Sequence, residues 1–461
     1  MSSEGDDRGE GSAGWPDAGE LRPLTSVSTR RQHIEQTARR HAGSPLTTLS
    51  HHLDMLWLRE AYSKVRRDSA PGVDDQSVAD YGEQLEANLQ SLLERVKSGT
   101  YRAPLVKRVH IPKNDTETRP IGMPTVENKV LERAVAMLLE PVYEQEFLDC
   151  SYGFRPGRSA HQALEALRSA VMAMRGGWVL DVDVKSYFDT IPHEQLREVL
   201  GLRVRDGTIG RLVGKWLKAG IWEAGKVTYP KAGTPQGGVI SPLLSNIYLH
   251  EVLDRWFEQE IKPRLRGRAQ LIRFADDFVV VCERREDAEA LLEQAKTRFQ
   301  HYGLELHPQK TRIVDFRHPW ESDSKPQTFD FLGFTHYWAT TRGGGYAMLS
   351  KTKGKKFSAA LTRIGDWCKR HRHEPIAQQH RELSMQVRGH NAYYGIRGNS
   401  RMLGCFRYEV SRLWHYWLSR RSREGADGAR LWKLLRQCFP LPPARIVHIA
   451  KSQQTAWTFC A

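Results

Sequence analysis

The sequence has no apolar run approaching the roughly 20 residues that a membrane-spanning helix needs. It also lacks the pattern of a signal peptide, because its opening residues are acidic, small and polar. No C-x-x-C spacing joins its cysteines, which are Cys150, Cys282, Cys368, Cys405, Cys438 and Cys460. A zinc module or a disulfide framework is therefore not expected. These absences predict a cytoplasmic protein without membrane association.

Charge is the strongest feature of the composition. The chain has 461 residues, 69 Lys and Arg against 54 Asp and Glu, and a formal net charge of +15. Such an excess favours a polyanionic partner, with nucleic acid first. Its 40% hydrophobic content is enough for a large core, although residues 1–45 lack any apolar period and are predicted to form a disordered tail.

Two acidic segments carry the first chemical signal. In LIRFADDFVVVC (residues 271–282) two apolar runs flank Asp276 and Asp277, which predicts a hairpin with two carboxylates at its tip. In VLDVDV (residues 179–184) the alternation places Asp181 and Asp183 on one strand face. Close carboxylates favour a hard divalent cation, whereas a polar surface turn would explain the hairpin alone equally well.

Three loops offer groups suited to phosphates and bases. Lys113 and Arg119 bracket a predicted hairpin loop, where they form either a phosphate clamp or a solvated edge. The loop SYGFRPGR (residues 151–158) interleaves aromatic rings with arginines, as nucleotide-stacking surfaces do, and the alternative is a core capped by Tyr and Phe with two surface arginines. GTPQGG (residues 233–238) provides glycines that let the backbone approach a ligand before a predicted helix from Ser241 to about Phe257.

In this order the segments resemble a reverse transcriptase of the group II intron-encoded maturase family, over about residues 50–420. The resemblance is carried by APGVD, IPK with RPIGMPT, SYGFRPGRSAHQAL, DVDVKSYFD, GTPQGGVISPLLSNIYL, FADD, LHPQKT and FDFLGF. One departure is Phe274, since the family usually has Tyr before Ala-Asp-Asp.

The resemblance implies an α+β, right-hand polymerase fold, with fingers and palm built on antiparallel sheet and a helical thumb, also called domain X. Fingers and palm would occupy residues 46–345, the thumb residues 346–435, and a short extension residues 436–461. Within this frame, KTKGKK (residues 351–356) is expected to be a mobile basic segment. A cysteine-bearing HNH nuclease is not expected, and neither is second-strand cleavage.

The resemblance also implies roles for individual residues. Two Mg²⁺ ions, with Mn²⁺ as the alternative, would be held by Asp183, the Val184 carbonyl, Asp276 and Asp277. Lys310 would be a proton donor to pyrophosphate, and Phe188 would exclude a ribose 2′-hydroxyl. Further contacts to the nucleotide or primer are expected from Lys113, Arg119, Arg155, Gln236 and Phe274.

The expected function is RNA-directed DNA synthesis that copies an intron RNA into cDNA for mobility, together with RNA binding that assists splicing. Phosphate contacts would come from the basic helical region, which includes Arg388, Arg397 and Arg412. The partners would be group II intron RNA, a primed RNA template, deoxynucleoside triphosphates and target DNA. The alternatives are a reverse transcriptase recruited to defence or repair and a non-catalytic splicing factor.

Overall fold

The computed structural model describes residues 26–112, 118–234, 237–321, 327–341, 343–421 and 428–448. The helices are α1 Val27–Arg40, α2 Met55–Ser63, α3 Val78–Glu83, α4 Leu85–Lys97, α5 Val126–Tyr143, α6 Ala160–Ala173, α7 Tyr187–Thr190, α8 His193–Arg203, α9 Gly207–Leu217, α10 Ser241–Leu249, α11 Arg285–His301, α12 Gly354–Arg370, α13 Ile376–Tyr394, α14 Ser400–Leu418 and α15 Gly428–Cys438. The strands are β1 Val106–Pro112, β2 Thr118–Met123, β3 Trp178–Val182, β4 Ile221–Glu223, β5 Lys226–Thr228, β6 Ala269–Phe274, β7 Asp277–Cys282, β8 Arg312–Asp315, β9 Phe329–Phe331, β10 Phe334–Thr340 and β11 Tyr346–Thr352. Helix α10 continues as a π-helix over His250–Ile261, slightly beyond the predicted end.

A central antiparallel sheet, in the order β6-β7-β3-β8, organises the fold. Its residues alternate between two hydrophobic cores, as a strand period of two requires. Leu180 and Val280 enter one core, whereas Val179 and Val281 enter the other. The mixed α and β content with antiparallel sheets confirms the coarse fold class.

A second sheet, here called the hairpin sheet, has the order β2-β1-β4-β5. Strands β1 and β2 pair antiparallel with Arg119 opposite Ile111, so the predicted hairpin is present. The loop between them, which contains Lys113, lies outside the described residues. Strand β2 leads through Thr125 into the buried helix α5, whose N-terminus the Thr125 side chain caps.

The prediction of a disordered tail over residues 1–45 is wrong from Ser26 onward. Ser26 caps helix α1 by accepting from the Thr29 N–H, and Ile34 is 1% exposed in the main core. Arg31 on this helix also pairs with Glu140 of α5 at 3.0 Å. The prediction failed because the apolar positions are few and are separated by charged residues, so only packing on α5 shows their role.

The predicted domain boundary between residues 345 and 346 is also wrong, because strand β11 lies directly after it and pairs with β10. Strand β11 pairs along its whole length with β10, so it belongs to the sheet formed with β9. The basic segment at residues 351–356 is not mobile, since it ends this strand and begins α12. Helices α12–α15 enclose a third core that includes Trp414, and Leu441 packs there as well. The predicted extension therefore starts inside the helical region, here defined as residues 354–448.

Candidate active site

A cleft of about 760 Å³ opens where the central sheet, the hairpin sheet and the start of α10 meet. This size is within the range of small-molecule sites, about 300–1,000 Å³. The cleft brings together predicted site residues from distant parts of the sequence: Arg119, Asp183, Val184, Phe188, Phe274, Asp276, Asp277 and Lys310. Gln236 lies outside the described residues, although Gly237 beside it lines the cleft.

The two adjacent aspartates lie at the tight turn between β6 and β7. Phe274 pairs with Asp277 across this turn, and Ala275 adopts a left-handed φ of 58°. Gly153 of the aromatic loop packs against it so closely that a Cβ would lie 2.3 Å from the Ala275 nitrogen. Only glycine permits that approach, so Gly153 couples the aromatic loop to the aspartate turn.

Asp183 follows β3 and lies at the same end of the sheet. Its carbonyl accepts from the His307 N–H at 2.7 Å, and its carboxylate pairs with the Lys310 ammonium at 2.7 Å. The LHPQKT segment is therefore fixed against this aspartate. Lys310 lines the cleft beside this carboxylate, and its role as a proton donor stays a prediction.

The electrostatics of the cleft show concentrated negative charge. Burial and then nearby Asp183 raise the pKa of Asp276, while Arg119 acts in the opposite direction. The pKa of Asp277 is raised to about 6, because surrounding protein shields it and because Asp276 and Asp183 are near. Its surface nevertheless remains open to the cleft.

The oxygen donors of this cleft suit a hard divalent cation. Among residues with described placement, however, no three acidic, histidine or cysteine side chains form a ready-made metal cluster. The Asp183 carboxylate is instead held in an ion pair with Lys310. The predicted ligands therefore share one cleft and fit a cation chemically, but their convergence on an ion stays a prediction.

Aromatic rings line the cleft beside the carboxylates. Phe154 is 58% exposed, and its ring centroid lies 6.5 Å from that of Phe274. Phe188 is half-buried and contacts Tyr187 edge to face at 5.3 Å. These rings are apolar surfaces of the kind that bases and sugars pack against.

Arg155, predicted to contact substrate, has a different role. It is 7% exposed, and its guanidinium donates to Glu144 and to the carbonyls of Leu148 and Ser151. A guanidinium whose donors are used inside the protein has none left for a phosphate. The predicted substrate contact of Arg155 is therefore wrong, because Arg155 holds the loop in place while Phe154 lines the cleft.

The predicted RNA-binding arginines lie in the helical region and are exposed. Arg388 is on α13 and Arg412 is on α14, where Arg412 also pairs with Glu409 at 2.9 Å. Arg397 follows α13 and borders a groove with Arg168 of α6. Exposure leaves all three accessible to a polyanion, and their role stays a prediction.

The ion pair of Arg273 and Asp254, which lies behind the cleft, was not predicted from the sequence. Arg273 and Asp254 are both 0% exposed and form two hydrogen bonds, one of them at 2.7 Å. Arg273 also donates to the Ala275 carbonyl at 3.0 Å and to Asn246 at 2.9 Å. The available signal was an arginine inside an apolar strand, because a buried charge needs a partner.

Comparison with known proteins agrees with this geometry. The family model "Reverse transcriptase (RNA-dependent DNA polymerase)" matches residues 111–336. The chain is 33% identical over 345 residues to Protein YkfC of Escherichia coli (strain K12), which covers 67% of this chain and 88% of that protein.

Two further relatives have informative names. The chain is 33% identical over 259 residues to the group II intron-encoded protein LtrA of Lactococcus lactis subsp. cremoris, covering 54% of this chain and 42% of LtrA. It is 26% identical over 213 residues to nuclear intron maturase 4, mitochondrial, of Arabidopsis thaliana, covering 46% of this chain and 25% of that protein. The chain therefore belongs to the family of group II intron-encoded reverse transcriptases and maturases, which are RNA-directed DNA polymerases.

Proposed function

We propose that this enzyme copies the RNA of a group II intron into DNA and binds that RNA to assist its splicing. The observation that carries the proposal is the single cleft shared by Asp183, Asp276 and Asp277, with Arg119 and aromatic rings on its walls. In this proposal the hairpin sheet belongs to the fingers, the central sheet to the palm and the helical region to the thumb. No helix in the described parts of the chain is long and apolar enough to cross a membrane.

The carboxylates give the cleft its proposed chemistry. Asp183, Asp276, Asp277 and the Val184 carbonyl would hold Mg²⁺. Bound there, the metal would stabilise charge on the attacking and leaving oxygens of phosphoryl transfer. The chain itself presents these oxygens at the end of a buried sheet, where Asp183 would exchange its ion pair with Lys310 for the metal.

Other cleft residues would bind and orient the substrate. The Arg119 guanidinium would donate to triphosphate oxygens, and it already acts electrostatically on Asp276. Lys310 would deliver a proton to the departing pyrophosphate once its pairing with Asp183 is released. Phe154 and Phe274 would pack against bases at the primer end.

Phe188 is proposed to select deoxynucleotides. Its half-buried ring stands on the cleft wall, where it would occupy the space that a ribose 2′-hydroxyl needs. Phe188→Ala should raise ribonucleotide insertion relative to deoxynucleotide insertion by about tenfold or more, a typical effect of one steric contact. Competitive single-nucleotide extension of a primed RNA template measures this ratio.

The matched control for this prediction is Phe154→Ala, which removes another ring of the same cleft. That variant should keep the wild-type preference between ribose and deoxyribose, whatever it does to the rate. An unchanged ratio in Phe188→Ala would place the selecting group elsewhere.

Intron binding is proposed to use the basic surface of the helical region. Contacts to phosphates release counterions, so their number is reported by the dependence of affinity on salt. Replacing Arg388, Arg397 and Arg412 together by Ala should weaken binding to the intron RNA and lower the salt slope by roughly 2–3. Filter binding over a range of salt concentrations tests this.

The control for the triple variant removes three exposed, ion-paired arginines elsewhere in the protein: Arg66, Arg255 and Arg285. It changes the net charge equally, so an equal loss of affinity would refute a specific role of the helical region. Splicing at low Mg²⁺ gives a second readout. There the triple variant should fail, whereas Asp276→Ala should remain near normal, because splicing assistance does not use the polymerase carboxylates.

A further inference from the structure

Helix α5 carries a buried carboxylate behind the catalytic cleft. Glu132 is 2% exposed, and its Oε2 accepts from the Val239 N–H at 2.6 Å and from the Ile240 N–H at 3.2 Å. Helix α10 begins at the next residue without a side-chain cap of its own. Glu132 therefore fixes, from another helix, the backbone that enters α10.

That backbone is part of the cleft wall. Gly237, Ser241 and Pro242 all line the cleft. Gly237 has a φ of 111° and packs against β2, where a Cβ would lie 2.3 Å from the Gly122 carbonyl oxygen. The segment of residues 237–242, here called the wedge segment, is thus held between the hairpin sheet on one side and Glu132 on the other.

Three hydrogen bonds form a chain that ends at Glu132, and in each of them the group farther from Glu132 is the donor. The Trp216 indole N–H donates to the Tyr101 hydroxyl at 3.3 Å, and this hydroxyl donates to the Asn128 carbonyl oxygen at 2.7 Å. The Asn128 amide then donates to Glu132 Oε1 at 2.8 Å. Since an indole N–H can only donate, the direction of this chain is set at its start. Asn128, Val239 and Ile240 all donate to the Glu132 side chain, so only the ionised carboxylate can accept all three hydrogen bonds.

A neutral Glu132 would carry a proton that faces a donor on either oxygen. One hydrogen bond of the network would then be unmade inside the core. Lys129 lies near Glu132, and its ammonium donates to the Ala70 carbonyl. Tyr101 stays protonated, because burial raises its pKa. Burial is also the main reason that the pKa of Glu132 is raised to about 7, against the lowering effect of its hydrogen bonds and Lys129.

We propose that Glu132 is a positioning residue for the incoming nucleotide, whose ionised carboxylate holds the wedge segment in the shape that binds the triphosphate. The proposal rests on the assignment of the cleft as the nucleotide site. Its consequence is a pH-dependent affinity for nucleotide. Below pH about 7 the neutral Glu132 side chain holds the wedge segment less firmly, and above this pH the carboxylate restores the shape of the wedge segment.

The test is single-nucleotide extension of a primed RNA template, with KM and kcat measured from pH 6 to pH 8.5. In the wild type we expect KM for the nucleotide to rise about tenfold as the pH falls, which corresponds to one hydrogen bond of about 1.4 kcal/mol. Glu132→Gln imitates the neutral state, because its amide puts a donor against a donor. It should therefore have a raised KM that has lost the change centred near pH 7 and keeps only the change that the Asp277 carboxyl causes near pH 6.

A compensating variant separates positioning from general damage to the fold. In the double variant Asn128→Asp with Glu132→Gln, the Tyr101 hydroxyl and the Gln amide can both donate to the new Asp. The Gln oxygen then remains to accept from Val239 and Ile240. This exchange should bring KM back close to the wild-type value, which a general loss of structure would not allow. Glu140→Gln, on the same helix but paired with Arg31, is the control and should keep the wild-type KM at every pH.

Two results would overturn the proposal: a Glu132→Gln enzyme with a wild-type KM profile, or a double variant that is no better than the single one. Asp276→Asn, measured in parallel, distinguishes this failure from failure of the cleft assignment. If Asp276→Asn still polymerised, the cleft would not be the reaction site. If it were inactive while Glu132→Gln behaved as wild type, only the positioning role would be lost.

Discussion

Asp276→Asn should lower the rate of DNA synthesis by roughly a thousandfold, because a metal-held charge in a transition state contributes several kcal/mol. The substitution keeps the size of the side chain and removes its charge. Burial and Asp183 raise the pKa of Asp276, so an ionised carboxylate is less favourable there than in water. A carboxylate whose ionised form is unfavourable at the end of a sheet is better explained by cation binding than by a contribution to folding stability.

Primer extension and filter binding on the same preparations measure this prediction. Affinity for the primed RNA template should remain within about threefold of wild type, because phosphate contacts from basic side chains supply it. The control is Asp149→Asn, an exposed carboxylate that pairs with Arg158 outside the cleft. Wild-type extension by Asp276→Asn would remove this residue from the reaction.

Strand β3 and the hairpin of β6 and β7 could be predicted from sequence, because β3 alternates regularly and the hairpin strands are apolar runs, whereas β8 was not predicted. Val179 and Leu180 point into different cores, as the period of two requires. The same regularity places Asp183 and the Asp276 turn at one end of neighbouring strands. The grouping of these carboxylates in one cleft was thus accessible from sequence, while their ion pairs were not.

The failures share one physical cause, which is that charged residues take part in packing. Helix α1 is polar along most of its length and is held by Ile34 and by the ion pair between Arg31 and Glu140. Arg155 resembles a surface cation in sequence, yet the carbonyls and carboxylate around it use its donors. Local patterns do not specify such partners, because they come from distant segments.

The pair of Arg273 and Asp254 shows how this packing supports the site. Burial would raise the pKa of Asp254, but the Arg273 guanidinium holds it below its usual range. Through its contact with the Ala275 carbonyl, Arg273 anchors the turn that carries Asp276. The ion pair therefore joins the helix that follows the wedge segment to the aspartate turn.

Asp254→Ala should lower the free energy of unfolding by about 3–5 kcal/mol, because it leaves the Arg273 charge buried without its partner. Denaturant unfolding at pH 7 measures the loss. Glu289→Ala, which breaks the exposed pair with Arg285, is the control and should cost no more than about 0.5 kcal/mol. Equal effects of the two substitutions would contradict the buried-charge argument.

A double variant separates stability from positioning at this site. Arg273→Met with Asp254→Leu replaces the ion pair by apolar side chains, which often restores stability when both charges are removed. It does not restore the hydrogen bonds from Arg273 to the Ala275 carbonyl and to Asn246. We therefore expect a smaller loss of unfolding free energy than in Asp254→Ala, about 1–3 kcal/mol from the two unpaired acceptors. The DNA synthesis rate should nevertheless be at least about tenfold lower, since one unmade contact of about 1.4 kcal/mol has that effect. Recovery of both properties would show that Arg273 only stabilises the fold, because the aspartate turn would then keep its geometry without the guanidinium.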